Sequence, residues 1–530
     1  MPAIITDQYR ILNAETFIDS FSGIGTNRIN NYYSFLGHPN PKNTDVKNYG
    51  DSGWGNPVPN PTDAFDQENF YYDSMLFLKK VTSNDVRRVV PRLDWQTGTT
   101  YEMYRNNYSS TNRTPQTKST TLYGSQYFVV NSEFSVYLCI NNGSNPDNPD
   151  GQKSLFEPTH TNTVPQEAGN GSDGYLWKYL FTISPSDIVK FVTTSYIPLP
   201  KQWGDSSTKT VKDASVDGKI ETVVIKNGGS GYSIDTNGTV SSTGTISDIP
   251  ITGDGTGGTV SININSGIVE SISGVVGGTG YTYAAVRFES GQFGGKTLIV
   301  GSGAEFEVVI PPKGGHGADI YRELGGFRVM LYSKYDNNVD HVPDYILGND
   351  FSRVGLVKNP LQFGGTDLLN NTTATNLGAL KLKPDASSGL STSQVTYTPN
   401  DLITQTVGVG STAVGYVASW NPDTGVLRYY QPVGFSTLST YSYKKLDFVG
   451  SGNTSPITGG SPENLVVNGT FSGKTTTIGG KNVDLGQTFN LGKASPEVKK
   501  YSGEIIYIDN RAPVTRTASQ KEEVKIVIEF

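Results

Sequence analysis

The chain has 530 residues, of which 35% are hydrophobic and 17% charged, with 61 glycines, 28 prolines and a formal net charge of −7. That length suggests three or four domains, or one core with large insertions. The acidic balance, without a long basic run, argues against a general nucleic-acid surface; a single cysteine rules out a disulfide framework within the chain; and no run of about 18 apolar residues occurs, so no membrane-spanning segment is expected.

Thr, Ser, Val, Ile and Gly in excess over Lys and Glu are the composition of a β-protein with many turns. The start, MPAIITDQYR, lacks a basic region followed by an apolar one, so no secretory signal and synthesis in a cytoplasm are expected. Ala14 to Phe21 can form a short helix with Phe17 and Phe21 one turn apart. NYYSFLG reads as a strand, and 38–62 as a Pro/Gly/Asn loop. A helix is expected over 63–80, capped by Thr62 or Asp63, with Phe65, Phe70, Leu76 and Phe77 apolar and Lys79 and Lys80 at its C-terminal end. Ser83 opens a second short turn, and VVPRLDW (89–95) leaves through Pro91.

QYFVV and SVYLCI read as strands, and Cys139 as a buried small hydrophobe. In DGYLWKYLFTIS, Tyr175, Trp177, Tyr179 and Phe181 alternate, with Leu176 and Leu180 between them. Both faces are apolar, which favours a strand buried between layers over a sugar-stacking platform. SPSDIVKFV starts like a helical turn. Composition shifts near 215, and 220–315 contain a repeat: IETVVIKNGGSGY and VESISGVVGGTGY align at a spacing of 49, matching Glu221 to Glu270, Gly229 to Gly278 and Tyr232 to Tyr281. FRVMLYSKY and RVGLVKNP read as strands, VGYVASWNPDTGVLRYYQP as a hairpin turning at Asp423-Thr424-Gly425, and EEVKIVIEF as a final strand.

Three strings suggest phosphate chemistry and fail on context. SGQFGGKT (290–297) has Ser290 where a P-loop has its first Gly, GTFSGKT (469–475) is one residue short, and GDGTGG (253–258) fits G-x-G-x-x-G. Each needs a helix whose N-terminus meets the anion. Strand-like sequence follows each instead: TLIV, TTIGG and TVSININ. Lys296 is therefore expected to face water. His38, His160, His316 and His341 are isolated and read as surface or loop histidines. DNPDG at 147–151 lacks the bidentate Glu of a calcium loop, and no G-x-S-x-G elbow occurs. No catalytic residue, metal ligand or cofactor is expected, and the chain is not expected to be an enzyme.

Four strings in order, VVPRLDW (89–95), SDGYLWKYLF (172–181), NDFSRVGLVKNP (349–360) and YSGEIIYIDNRAPV (501–514), together resemble the gene-product-eight family of baseplate wedge subunits of contractile-tailed, T-even-like bacteriophages. PTDAF (61–65) and the terminal strand fit as well. The resemblance covers about 1–203, 316–363 and 491–530. It implies a structural virion protein of the tail baseplate, a layered β-sandwich core with a few short helices in loops, a homodimer, and other wedge proteins as partners. The organisation then reads as core 1–215, a Gly-rich β-repeat insert 216–315, core 316–364, a second inserted β-domain 365–490, and C-terminal core strands 491–530. The inserts offer contact with an accessory protein or host surface. Structural pivots are expected at Arg92, Asp94, Trp95, Trp177, Arg353, Tyr507, Asn510, Arg511 and Pro513. Arg92 and Asp94 would fix the helix exit, and Arg511 would brace the final strand. A carbohydrate-binding or carbohydrate-cleaving tail fibre or tailspike is the alternative reading of the Gly-rich repeats and tyrosines.

Overall fold

The computed structural model describes residues 6–22, 30–37, 58, 60–63, 65–336, 350–431, 446–516 and 520–530. His38, His341 and most of the 38–62 loop lie outside the described residues. The protein is mainly β, with 45% strand, 9% helix and several antiparallel sheets. It forms two compact units: Met1–Thr16, Arg87–Met330 and Val527–Phe530 make the first, Phe17–Val86 and Leu331–Ile526 the second.

The first unit is built on a four-stranded sheet ordered Phe128–Val130, Ser135–Asn142, Tyr175–Thr182, Gln166–Glu167. Its central pair has Cys139 opposite Trp177, with register shifts on either side of that point. The shifts break the simple alternation of the aromatic strand. Tyr175, Trp177, Leu180 and Phe181 are buried, whereas Leu176 and Tyr179 are only half-buried. Cys139 is fully buried, and desolvation pushes its thiol well up. Trp177 stacks on Tyr175 at 5.3 Å between ring centres and meets Tyr101 edge-on at 5.8 Å. Each such fully buried aromatic stabilises the fold by roughly 2–3 kcal/mol relative to exposure. The Pro185–Phe191 helix follows with Ser184 as its cap, the Asp187 N–H donating to Ser184 Oγ at 3.2 Å.

The Gly-rich repeat belongs to this unit and folds as an interlocked pair. Strand Val223–Ser230 of the first copy pairs with Ser302–Val308 of the second. Strand Ile268–Thr279 of the second copy pairs with Thr256–Asn265 of the first. The two crossings match atom for atom. Gly229 (φ 60°) and Gly278 (φ 61°) would, with a Cβ, come within 2.4 Å of the Ser302 and Thr256 carbonyls respectively. The Tyr232 hydroxyl accepts from the Ala304 N–H at 2.9 Å, and the Tyr281 hydroxyl from the Gly258 N–H at 3.1 Å. Glycine is demanded twice over at 229 and 278, by positive φ and by the approach of a neighbouring backbone. Ile234, Ile246, Ile249, Val260, Ile262 and Ile264 of the first copy form one buried cluster with Val269 and Leu298 of the second.

The second unit contains a five-stranded sheet ordered Thr373–Thr375, Met75–Val81, Tyr32–Gly37, Asp350–Lys358, Glu504–Thr515. All six residues of the central strand Tyr32–Gly37 are buried. Phe35 lies opposite Leu78 on one side and Gly355 on the other, and its ring occupies the place a Cβ of residue 355 would take, 2.2 Å away. The helix expected over 63–80 runs only from Phe65 to Ser74. Its second half is the strand Met75–Val81, with Met75, Leu76, Leu78 and Val81 buried and Lys79 and Lys80 half-buried. Edge hydrogen bonding to the buried Tyr32–Gly37 strand outweighs the weak helical preference of MLFLKKV. Thr62 is not a cap: its N–H donates to the Tyr71 hydroxyl, which donates back to the Thr62 carbonyl.

A second sheet of this unit runs Leu402–Gly408, Ser411–Asn421, Val426–Tyr430, Gly378–Lys383, Val466–Val467. Its central hairpin turns at Gly425, φ 64°. One face buries Leu380, Leu382, Val417, Leu427, Tyr429 and Phe448. The other holds Ala379 and Val426 under Leu485 and Phe489 of the hairpin Gly473–Ile478/Lys481–Phe489.

Gly229→Ala and Gly278→Ala should each cost about 2 kcal/mol or more, from left-handed backbone strain plus the clash. Gly274→Ala, with nothing within 4 Å of its Cβ position, should be near neutral. Urea unfolding midpoints check the contrast; equal effects at all three positions would contradict the interlocked crossing.

Candidate functional site

The expected pivots fall into three places. VVPRLDW is a strand ending, since Val86–Pro91 pairs with Tyr196–Pro198. Arg92 Nε meets Asp94 Oδ1 at 2.8 Å, and Arg92 Nη1 donates to the Thr193 carbonyl at 3.1 Å. The pair therefore fixes the exit of a strand, not of a helix. It is half-exposed and contributes little, about 0–1 kcal/mol. Trp95 carries more of the local order. Its N–H donates to the Val130 carbonyl at 2.9 Å, its indole N–H to Ser154 Oγ at 3.0 Å, and its ring packs on the aromatic core.

Trp177 is a fully buried member of that core. The residue beside it is the one the sequence reading passed over. Lys178 is buried and its Nζ meets Glu221 Oε1 at 2.8 Å, with the side chains 3% and 7% exposed. Glu221 opens the first copy of the repeat, whereas its counterpart Glu270 is exposed and accepts from Asn265. Arg105, Asn107 and Lys226 converge in the same way on Glu307, at 2.8, 2.8 and 2.9 Å. Those contacts hold the Glu307 carboxyl below its usual range against the opposing effect of its own burial. Within the first unit, these ion pairs fasten the repeat to the aromatic sheet. A lone lysine among aromatics was the available signal.

The remaining pivots meet in the second unit. Strand Asp350–Lys358 pairs with Glu504–Thr515, placing Arg353 opposite Asn510 and Leu356 opposite Tyr507. Arg353 is fully buried. Its Nε donates to Asn510 Oδ1 at 3.1 Å, and its guanidinium lies 5.2 Å from the centre of the Tyr71 ring. Tyr507 is half-buried, and burial, with Asp509 nearby, raises its phenol. Arg511 does not brace another strand. It pairs at 2.7 Å with Asp509, two residues back on the same strand face, and stays 63% exposed. Pro513 sits where the register slips between the 351–514 and 353–510 pairs, so its missing N–H costs no ladder bond.

The phosphate-like strings are β-turns. Gly291–Phe293 and Lys296–Ile299 are hairpin strands, and Lys296 is half-buried, its Nζ donating to the Thr245 carbonyl at 2.9 Å in an exposed contact. Lys474 pairs with Asp484 across another hairpin at 3.2 Å. His160 and His316 both lie in loops, as expected, but neither is exposed at the surface. His316 is buried, its Nδ1 2.6 Å from Glu323 Oε1 and its ring against Tyr104. His160 is half-buried with Nε2 3.1 Å from the Trp177 carbonyl, and burial lowers its pKa. The Gly-rich run before His316 lets that loop fold inward. Among the described residues, no group of three His, Cys, Asp or Glu side chains is placed to hold a metal ion, and no helix is long and apolar enough to cross a membrane.

No known protein family matches the chain, and no curated protein matches it significantly.

Arg353→Ala should cost about 3 kcal/mol or more in unfolding free energy, from a cavity and lost buried hydrogen bonds, while Arg511→Ala should stay within about 0.5 kcal/mol. Chemical denaturation of both variants checks this. The lowered pKa of His160 means that the unfolded chain binds the proton more readily. Its contribution is complete above the unfolded value of about 6.5 and is lost as pH falls below it. Replacing His160 by Gln should flatten the fall in stability between about pH 6.5 and 5, measured by denaturant midpoints at each pH.

Proposed function

We propose that the chain is a structural subunit of a contractile-tail baseplate wedge, acting by protein–protein contact in tail assembly. The observation that carries this reading is the run of four family-like strings in order. The two that lie farthest apart from their predecessors, 349–360 and 501–514, supply neighbouring strands of one sheet and share the buried Arg353–Asn510 contact. Strings that pair in space are under a common packing constraint, which supports treating these two as parts of one sheet and not as two coincidences. A mainly β architecture is in keeping with the reading. On it, the protein resides in the virion baseplate, forms a homodimer and binds other wedge proteins over large permanent surfaces, roughly 2,000 Å² or more. The repeat insert and the second inserted β-domain are then available to an accessory protein or host surface.

Co-expression of the full chain with the other wedge proteins of its phage should yield a complex that survives gel filtration, and the chain alone should run as a dimer by light scattering. Failure to co-assemble with any wedge protein would sink the reading. Turnover of host polysaccharide by the purified chain would favour the tailspike alternative.

A further inference from the structure

The buried ion pairs of the first unit differ in how completely their atoms are met. At Glu307, Arg105 and Lys226 contact Oε2 and Asn107 donates to Oε1, so both oxygens have donors. The Lys178–Glu221 pair is different. Lys178 Nζ donates to Glu221 Oε1 at 2.8 Å, with the two side chains 3% and 7% exposed. Glu221 Oε2 is shut off from solvent and has no donor. An ammonium carries three donors. Among the described residues, the other two of Lys178 have no acceptor. The unmet atoms are thus two hydrogens on nitrogen and one carboxyl oxygen, the composition of one water.

Both partners are held in place. Lys178 lies opposite Leu138 in the aromatic sheet, and its Cε is 4.0 Å from the position a Cβ of Gly317 would take. Asn141 of the same sheet donates to Thr222 Oγ1 at 2.9 Å, which fixes the main chain beside Glu221. Groups held in contact react without the entropy cost of an encounter. In water, an amine and a carboxyl group stay ionised and do not condense. Buried, each charge carries a desolvation cost that an uncharged amide of the same atoms avoids.

We propose that Lys178 and Glu221 condense to an intrachain amide, joining the aromatic sheet covalently to the repeat insert. The ammonium hands one proton to the carboxylate, and Nζ then adds to Glu221 Cδ. A second proton passes from the nitrogen to the departing hydroxyl. One C–N bond forms, one C–O bond breaks and one water leaves, with nothing oxidised or reduced. The product keeps a single N–H and a single carbonyl oxygen. The pair moves its own protons, so the joined form accumulates with time. The inference is independent of the assembly reading.

Denaturing mass spectrometry of the purified full chain, before and after prolonged warm incubation, tests it. An ion pair falls apart on denaturation and leaves the sequence mass, whereas the amide leaves a mass lower by one water. Trypsin should then fail to cut after Lys178, and one product should contain 154–190 linked to 220–226. Lys178→Arg keeps the pair of charges without a primary amine and should show its full sequence mass. Glu270→Gln, at the matching position of the second copy, should keep the shortfall. Should Lys178→Arg not fold, the wild-type digest decides alone, since water lost elsewhere gives no linked peptide. Free 154–178 and 220–226 in full yield after incubation, with the intact chain at its sequence mass, overturns the proposal.

Discussion

The second unit depends on keeping both edges of one buried strand hydrogen-bonded. Every residue of Tyr32–Gly37 is buried, so each of its main-chain N–H and carbonyl groups needs a partner away from water. One partner, Met75–Val81, lies close in sequence, and the other, Asp350–Lys358, about three hundred residues on. The Asp350 strand in turn takes Glu504–Thr515 as its outer neighbour. The chain is thus obliged to leave this sheet and return to it twice. Long excursions are tolerated because loop-closure entropy grows only slowly with length. Large inserted β-modules can therefore sit between strands that belong together.

Within the first unit, the repeat answers a different constraint. Two copies of a short β-motif cannot each bury a face alone. They do so by exchanging strands, first copy to second and second to first. Both exchanges require backbones to cross with no side chain between them, and glycine stands at each crossing. The dense glycine of this region thus serves packing and not phosphate binding. Buried ion pairs, Lys178 with Glu221 and Arg105 with Glu307, hold the repeat against the aromatic sheet. Such pairs add modest net stability, because desolvation offsets most of the attraction, but they penalise any other docking that would leave a charge buried alone.

The assembly reading bears on the interior of the sheets. It rests on strings whose side chains mostly face inward. Arg353, Asn510 and Trp177 are buried, so they act by fixing sheet geometry and are not themselves contact residues. Arg511 and Pro513 are exposed on the outer strand of their sheet and are free to face a partner.

The sequence by itself determined what depends on local pattern. Alternating apolar residues, Gly and Asn-Pro turns and the scarcity of charge specify a mainly β protein. The strands at 32–37, 135–142, 175–182, 411–430 and 522–529, the Ser184 cap and the repeat spacing were all legible for that reason. Only the tertiary structure decided what depends on partners. MLFLKKV became strand because a buried strand needed its edge, a demand set by a segment some forty residues away. Lys178 went inside because Glu221 met it there, and His316 because Glu323 did. Arg511 stayed out because its nearest acid stands two residues back on its own strand. A side chain's charge is written in the sequence, but the cost of burying it is set by what the fold brings within 3 Å.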